Sequence, residues 1–285
     1  MATQTASMPV PVPPPQGAQF AGQTMSRRQF EGTVLTHLVH PIEKHVPAHE
    51  HPLPYFSLVL HGHYEEEGRR GFNQYSGFTL AFHPQCTRHT GIVPKGGAEF
   101  FTAEVGANWL DFFRGPQSLN EAVYELSAGE LTWLAVRLFR EYREGAHGST
   151  LSMESLLWEM LGSAARLQHV HRHTEPEWWS RVIGMLRESF RQEVRIADIA
   201  NEVGVHPVYL SRMFRQVEGQ TAGAYLQRLR VQYACRELCD REKPLSEIAA
   251  SAGFADQSHM TRMFQRIVGL RRRRCGKCWW KSSLD

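Results

Sequence analysis

Two short runs of side chains carry the donors that phosphate oxygens and base edges accept from. The first is Tyr209, Ser211, Arg212 and Arg215, with His206 and Pro207 just before it. The second is Gln257, Ser258, His259, Thr261, Arg262, Gln265 and Arg266, with Asp256 just before it. Arginine offers a planar fork to a phosphate or to a guanine edge; the hydroxyls and amides position a backbone or read a base. A third set is of another kind: His49, His51, Tyr55, His83 and His89. Two histidines two apart on a strand point the same way and can meet a later histidine across a barrel. That geometry either holds a transition metal or lines a small-molecule pocket.

Something must present the two donor runs, and the sequence around them is one pattern written twice. The first copy reads Ile199-Ala200, Gly204-Val205, Ser211-Arg212-Met213-Phe214 and Gly219; the second reads Ile248-Ala249, Gly253-Phe254, Thr261-Arg262-Met263-Phe264 and Gly269. The second copy carries one extra residue in its turn. A repeat of this kind predicts two similar supersecondary units. In each, a short helix of small residues ends at a glycine suited to the left-handed position past a helix end. A hydrophobe follows, then a new helix. Pro207 fits a first helical turn, where no backbone donor is needed, and Asp256 can cap its helix. Leu210, Met213 and Phe214, and then Met260, Met263 and Phe264, recur at i, i+3, i+4 and form one core-facing stripe per helix. The donors fall on the opposite face. Two helical hairpins with merely solvated polar faces is the plainer reading of the same pattern.

These two motifs, with Tyr225-Leu226 through Leu229-Arg230 and Leu238 between them, closely resemble the DNA-binding domain of the AraC/XylS family of bacterial transcription regulators over roughly residues 178 to 270. The resemblance implies a seven-helix domain with two recognition helices and double-stranded promoter DNA as partner. Between the motifs a helix is expected from about Ala222 to Cys239; at 1.5 Å per residue it spans about 27 Å, near the ~34 Å repeat of DNA. The family pattern then departs. A Thr-Pro pair and a Tyr or Phe are expected after Gly269, but the chain reads Arg271 to Arg274, Cys275, Cys278, Trp279 and Trp280. Two readings of this tail stand: a shifted reading frame, or a basic arm on DNA. A lone C-x-x-C pair does not make a zinc site.

The charge distribution agrees with phosphate attraction. Residues 176–285 carry 19 Lys and Arg against 12 Asp and Glu, whereas residues 1–175 carry 13 against 17. The basic half is the half that holds both donor runs. A length of 285 residues allows about two domains. No apolar run approaches the roughly 20 residues of a membrane helix, and the start of the chain lacks the pattern of a secretory signal. Five cysteines give no disulfide framework, so a cytoplasmic protein is expected.

Residues 1–25, with Pro9, Pro11 and Pro13 to Pro15, read as a disordered leader. Residues 26–117 read as a sensor of short strands bounded by Gly and Pro, including Thr33 to Val39, Tyr55 to Leu60, Gly77 to Phe82 and Glu99 to Val105. Such spacing suggests a barrel or jelly roll, and His49-x-His51 with Phe82-His83-Pro84 and His89 resembles a cupin-like domain. The glutamate usual after the first histidine pair in metal-binding cupins is absent; Glu65 to Glu67 read as a turn, an exposed edge or a solvated hairpin tip running to Arg70. His37, His40, His45, His61 and His63 read as surface or turn residues. No metal and no cofactor is therefore expected; His49, His51, Tyr55, His83 and His89 are assigned to a pocket for a small-molecule effector.

Residues 118–168 turn helical, with apolar faces at Leu131, Leu134, Val136, Leu138 and Phe139 and at Leu156, Leu157, Met160 and Leu161. They either pack on the barrel or pair with a second subunit; the family resemblance favours a homodimer. Residues 169–176, rich in histidine, read as a linker, 177–270 as the DNA-binding domain and 271–285 as an atypical basic tail.

The fold expected is thus an α+β multidomain chain: an N-terminal cupin-like β-barrel or jelly roll with flanking helices, then an all-α double helix-turn-helix domain. The expected function is an effector-controlled, sequence-specific transcription regulator, activator or repressor, with RNA polymerase as a further partner, with no catalysis and no membrane. The alternative is a cupin-type metal-binding enzyme or sensor with a helical appendage and no DNA binding, which needs a metal on His49, His51 and His89.

Overall fold

The computed structural model describes residues 20–30, 32–68, 71–106, 124–125, 129–145, 149–174, 176–238 and 243–268. Its N-terminal part is a nine-stranded antiparallel sheet: β1 (Gln23–Phe30), β2 (Thr33–His40), β3 (Lys44–His49), β4 (Tyr55–Gly68), β5 (Gly71–Ser76), β6 (Leu80–His83), β7 (His89–Val93), β8 (Ala98–Glu104) and β9 (Tyr124–Glu125). One path runs β1-β2-β8-β4-β6-β9, while β3, β7 and β5 gather on the far half of β4. β4 serves both: Tyr55 to Leu58 pair with β6, whereas Glu65 to Gly68 pair with β7 on one side and β5 on the other.

Between these halves the register of β4 against β8 slips, between Val59 and His61. Gly62 sits there at φ 78°, and a Cβ on it would stand 2.1 Å from the carbonyl oxygen of Gly97, so no side chain fits. A bulge of this kind bends its strand, and here it curls the sheet into a half-barrel.

β2 and β8 are buried at every position. Leu38 and Phe100 face the inside of the curl with Val59, Tyr75 and Val93. Leu35, Phe101 and Ala103 face the other way, into a core shared with helix α1 (Glu130–Glu144). Phe139 and Tyr142 of α1 each lie with ring centroids 5.1 Å from that of Phe101. The expected barrel-side helices are therefore packed internally, with α2 (Ser149–Thr174) on α1.

Three expectations are corrected. β1 begins at Gln23, inside the stretch read as a leader, because β2 offers it an open edge and Gln23 pairs with Val39. The histidine-rich residues 169–174 are not a linker but the end of α2, since nothing there breaks a helix before Pro176. His37 and His40 are not surface residues: they are 2% and 5% exposed, because β2 is covered on both faces. The proline leader before Phe20, the Arg69-Arg70 tip and the tail after Val268 lie outside the described residues.

The C-terminal part is helical: α3 (Trp179–Ser189), α4 (Ile196–Glu202), α5 (Pro207–Glu218), α6 (Ala222–Glu237), α7 (Leu245–Ser251) and α8 (Gln257–Val268). A seventh helix of the resembling domain would fall beyond Val268. α6 has 16 residues, about 24 Å, and divides two cores. Its first half (Ala222, Tyr225, Leu226, Leu229) packs with α3, α4 and α5 around Trp179, Leu186 and Phe214. Its second half (Val231, Ala234, Cys235) packs with α7 and α8 in the same core as α1 and the sheet. Two hydrogen bonds fasten this half to the β5–β6 turn: Gln232 Nε2 donates to the Phe78 carbonyl at 2.8 Å, and Arg236 Nη1 donates to Ser76 Oγ at 2.9 Å.

Candidate nucleic-acid interface and sensor pocket

The two motifs fold by the same backbone hydrogen bonds. In the first turn Val203 N donates to Ile199 O, Gly204 N to Asn201 O and Val205 N to Ala200 O. In the second, Ala252 N donates to Ile248 O, Gly253 N to Ala250 O and Phe254 N to Ala249 O. Gly204 and Gly253 stand at φ 72° and 80°. The extra residue of the second copy is Ala255, between the turn hydrophobe and the cap. His206 caps α5 by accepting from Val208 N at 3.3 Å, ahead of Pro207. Asp256 caps α8, its Oδ1 accepting from His259 N at 2.6 Å. That bond, first among its causes, holds the Asp256 carboxyl below its usual range; the Ser258 amide and the Arg262 charge act the same way.

The glycines are equal in conformation but not in surroundings. A Cβ on Gly204 meets nothing within 4 Å, whereas one on Gly253 would stand 2.5 Å from the Arg191 carbonyl oxygen. Gly204→Ala should cost about 1–2 kcal/mol, the left-handed penalty alone. Gly253→Ala should cost about 1–3 kcal/mol more, because backbone must shift. Urea unfolding of the two variants measures the difference.

Each second helix turns its apolar stripe inward: Leu210, Met213, Phe214 and Val217 are buried in α5, and Met260, Phe264 and Val268 in α8. The donors lie outward. Tyr209 is 47% exposed, Arg212 and Arg215 are exposed, and Ser211 is half-buried. Gln257, Ser258, Arg262 and Gln265 are exposed. Thr261 is half-buried, its Oγ1 donating to the Gln257 carbonyl, and the His259 ring lies edge-on to Phe254 at 5.4 Å. Arg266 stands apart: exposed, it lines a cleft of about 610 Å³ between α8, α6 and the barrel-side helices, together with Arg137, Arg228, Glu130 and Glu159.

The half-barrel gathers the other predicted set. His49 and His89 face each other in the β3–β7 pair with centroids 4.3 Å apart. His51, in the segment after β3, lies with its centroid 5.0 Å from that of His49 and 5.6 Å from that of His89. Tyr55 and His83 oppose each other in the β4–β6 pair and stack at 4.4 Å. Tyr55 Oη reaches His89 Nε2 at 3.4 Å. Together they border a cavity of about 50 Å³, with Phe20 stacked on His51 at 4.6 Å. Burial first, then the neighbouring histidines, pushes His51 down to about 3; burial likewise lowers His89.

Sequence reasoning missed Glu66. It is 2% exposed, lines the same cavity and accepts from His83 Nε2 at 2.9 Å. Burial raises its carboxyl, but the charge of His83 and this bond outweigh burial and hold it below its usual range. The reading of Glu65 to Glu67 as a tip or exposed edge failed for a physical reason. Along β4, Tyr55 and Ser57 face the cavity before the bulge, and Tyr64 and Glu66 face it after. The slip at Val59 and His61 inverts the alternation. A glycine inside a long strand pattern, Gly62, was the available signal.

His40 borders the cavity too. Burial, then Lys44, lowers its pKa from 6.5 to about 4, against a backbone bond to Ala21. The fold therefore favours the neutral ring. Its contribution is whole above pH 6.5 and is lost as pH falls toward about 4. Thermal melting across that window should show the acid slope, flattened by His40→Gln.

Among the described residues no helix is long and apolar enough to cross a membrane. A family model described as a helix-turn-helix domain matches residues 199–273. The regulatory protein SoxS of Escherichia coli (strain K12) is 35% identical over 85 residues, 30% of this chain and 79% of that protein. The melibiose operon regulatory protein of the same strain is 29% identical over 101 residues, 35% of this chain and 33% of that protein. The HTH-type transcriptional regulator YobQ of Bacillus subtilis (strain 168) is 23% identical over 229 residues, 78% of this chain and 86% of that protein. With two identically hydrogen-bonded turns, two outward donor faces and a relative matched over most of its own length, the chain belongs to the AraC/XylS family of DNA-binding transcription regulators.

Proposed function

We propose that this regulator reads promoter DNA with α5 and α8 and answers to a signal sensed in the half-barrel. The observation that carries it is the pair of matched turns, each presenting exposed arginines, on one helical rod. Arg212, Arg215 and Arg262 contact phosphates or bases; Tyr209, Ser211, Gln257, Ser258 and Thr261 read base edges or position the backbone. Arg266 borders both the DNA face and the cleft.

The route from sensor to reader is short. β6 has His83 in the cavity at one end, and the turn before its other end holds Phe78, whose carbonyl accepts from Gln232 of α6. A shift of His83 has this path to the rod that carries both readers. A second seat for an organic effector is favoured by size, since the 610 Å³ cleft lies within the roughly 300–1,000 Å³ range of ligand pockets and the half-barrel cavity does not. A homodimer would use the outer face of α2, where Leu151 and Trp158 are 70% and 41% exposed. The protein works in the cytoplasm, performs no catalysis, and contacts RNA polymerase as an activator.

Fluorescence anisotropy against DNA from upstream of its own gene tests the reading. Expected is specific binding whose logarithmic affinity falls linearly with the logarithm of salt. Binding indifferent to salt, or equal for all sequences, would overturn it.

A further inference from the structure

The half-barrel cavity holds an arrangement that the DNA-reading function does not use. His49, His51 and His89 bring ligating atoms within 4.8 Å of one another. Two of the rings are anchored alike. Nδ1 of His49 donates to the Pro47 carbonyl at 2.9 Å, and Nδ1 of His89 donates to the Thr87 carbonyl at 2.9 Å. A ring whose Nδ1 proton is committed to a carbonyl presents Nε2 as a lone pair, and such carbonyls are the usual orienting partners of metal-bound histidine; at His89 that lone pair accepts from Tyr55 Oη at 3.4 Å, a long bond that an ion would replace. The third ring is different. His51 is 3% exposed, and neither of its nitrogens has a hydrogen-bond partner. A buried polar atom left in that state is costly, and a ligated ion gives the lone-pair nitrogen of this ring a partner.

The lining selects the charge and size of the occupant. Glu66 places a buried carboxylate beside the rings, and no Lys or Arg is among the described residues that border the cavity. An anion finds no partner there; a cation does. About 50 Å³ admits an ion with a water or so, far below the roughly 300 Å³ at which organic-ligand pockets begin. Imidazole donors suit zinc-class ions, whereas magnesium and calcium require oxygen.

We propose that His49, His51 and His89 bind one divalent transition-metal ion of the zinc class through three imidazole nitrogens, with a fourth position open to water or a small ligand. A tetrahedral ion at about 2.1 Å from each nitrogen sets them about 3.4 Å apart, so small ring rotations complete the site. This departs from the metal-free pocket expected from sequence, and the reason is the buried, unpartnered His51. As the signal that controls DNA binding, the ion deepens the regulatory proposal and rests on it; the binding site itself does not.

The test uses the full chain, stripped with a chelator and titrated with Zn²⁺ by calorimetry and with Co²⁺ by visible absorption. One equivalent of Zn²⁺ and the ligand-field bands of four-coordinate Co²⁺ are expected. His51→Gln and His89→Gln, with circular dichroism unchanged, should each weaken Zn²⁺ by more than the roughly 10–100-fold typical of an outer-shell change. His63→Ala, at an exposed position of β4, and the Cys275→Ser/Cys278→Ser pair should keep the equivalent. Absence of saturable Zn²⁺, or an equivalent that survives both glutamine variants, overturns the site. DNA anisotropy run with and without Zn²⁺ separates the two proposals. Zn²⁺ bound with DNA affinity unchanged removes the signalling role, whereas Zn²⁺ bound with no specific DNA binding in either state sinks the regulatory reading and leaves the metal site.

Discussion

Replacing Arg212 and Arg262 together with alanine is expected to abolish specific DNA binding while leaving the protein folded. Both side chains are exposed on the outer faces of α5 and α8, and no described ion pair holds either in place. Neither supports the apolar stripe beneath it. Loss of one base-reading arginine costs about 1–3 kcal/mol of binding. The two lie in separate motifs, so their effects should add, and the pair should lower affinity by about 2–6 kcal/mol. The single variants carry the finer information. A base contact relaxes the sequence preference at one position; a phosphate contact weakens every sequence alike and reduces the salt slope by about one. Anisotropy over a set of single-base operator variants distinguishes them.

Phe214→Ala and Phe264→Ala should each cost about 3–5 kcal/mol of stability, yet act on different parts of the molecule. Phe214 is fully buried in the core of the first motif, its ring 5.2 Å from that of Trp179 and 5.5 Å from that of Tyr225. Phe264 is buried in the core that also holds Phe101, Leu134 and Phe139. Its loss should therefore raise hydrogen exchange in α1 and β8 as well as in α7 and α8. Phe214→Ala should raise exchange in α3 to the first half of α6, and in α2 where α5 touches it. Exchange mass spectrometry reads both, and an equal pattern from the two variants would show that the cores are not separate.

The double motif was legible because it is local. A glycine past a short helix, a hydrophobe, a cap and an i, i+3, i+4 stripe all lie within one unit, and each did what its spacing predicts. The extra residue of the second turn was visible too, as a shift in the repeat. The half-barrel was legible only in outline. Parts of β2, β4, β6 and β8 were found, and His49, His51, Tyr55, His83 and His89 do converge. Their convergence depends on which residues oppose one another across strands, a matter of register that a single sequence does not carry. Glu66 was hidden by the bulge at Val59 and His61, which exchanges inner and outer positions along β4. His37 was misjudged because two-sided burial erases alternation; it pairs with Glu99 at 2.5 Å under α1. The false linker arose from composition, since histidine and polar residues mark a hinge only when a breaker accompanies them.

The common core of α1, the sheet, α7 and α8 means that this regulator cannot be taken apart where its composition changes. A fragment starting near Pro176 would uncover the side of the Val231, Ala234 and Phe254 core that α1 and the sheet complete, and the face of α5 that meets α2. Grafting the sensor onto another reader, or the reverse, would meet the same uncovered surface. Both readers lean on the sensor half, the second through a shared core and the first through α5 against α2.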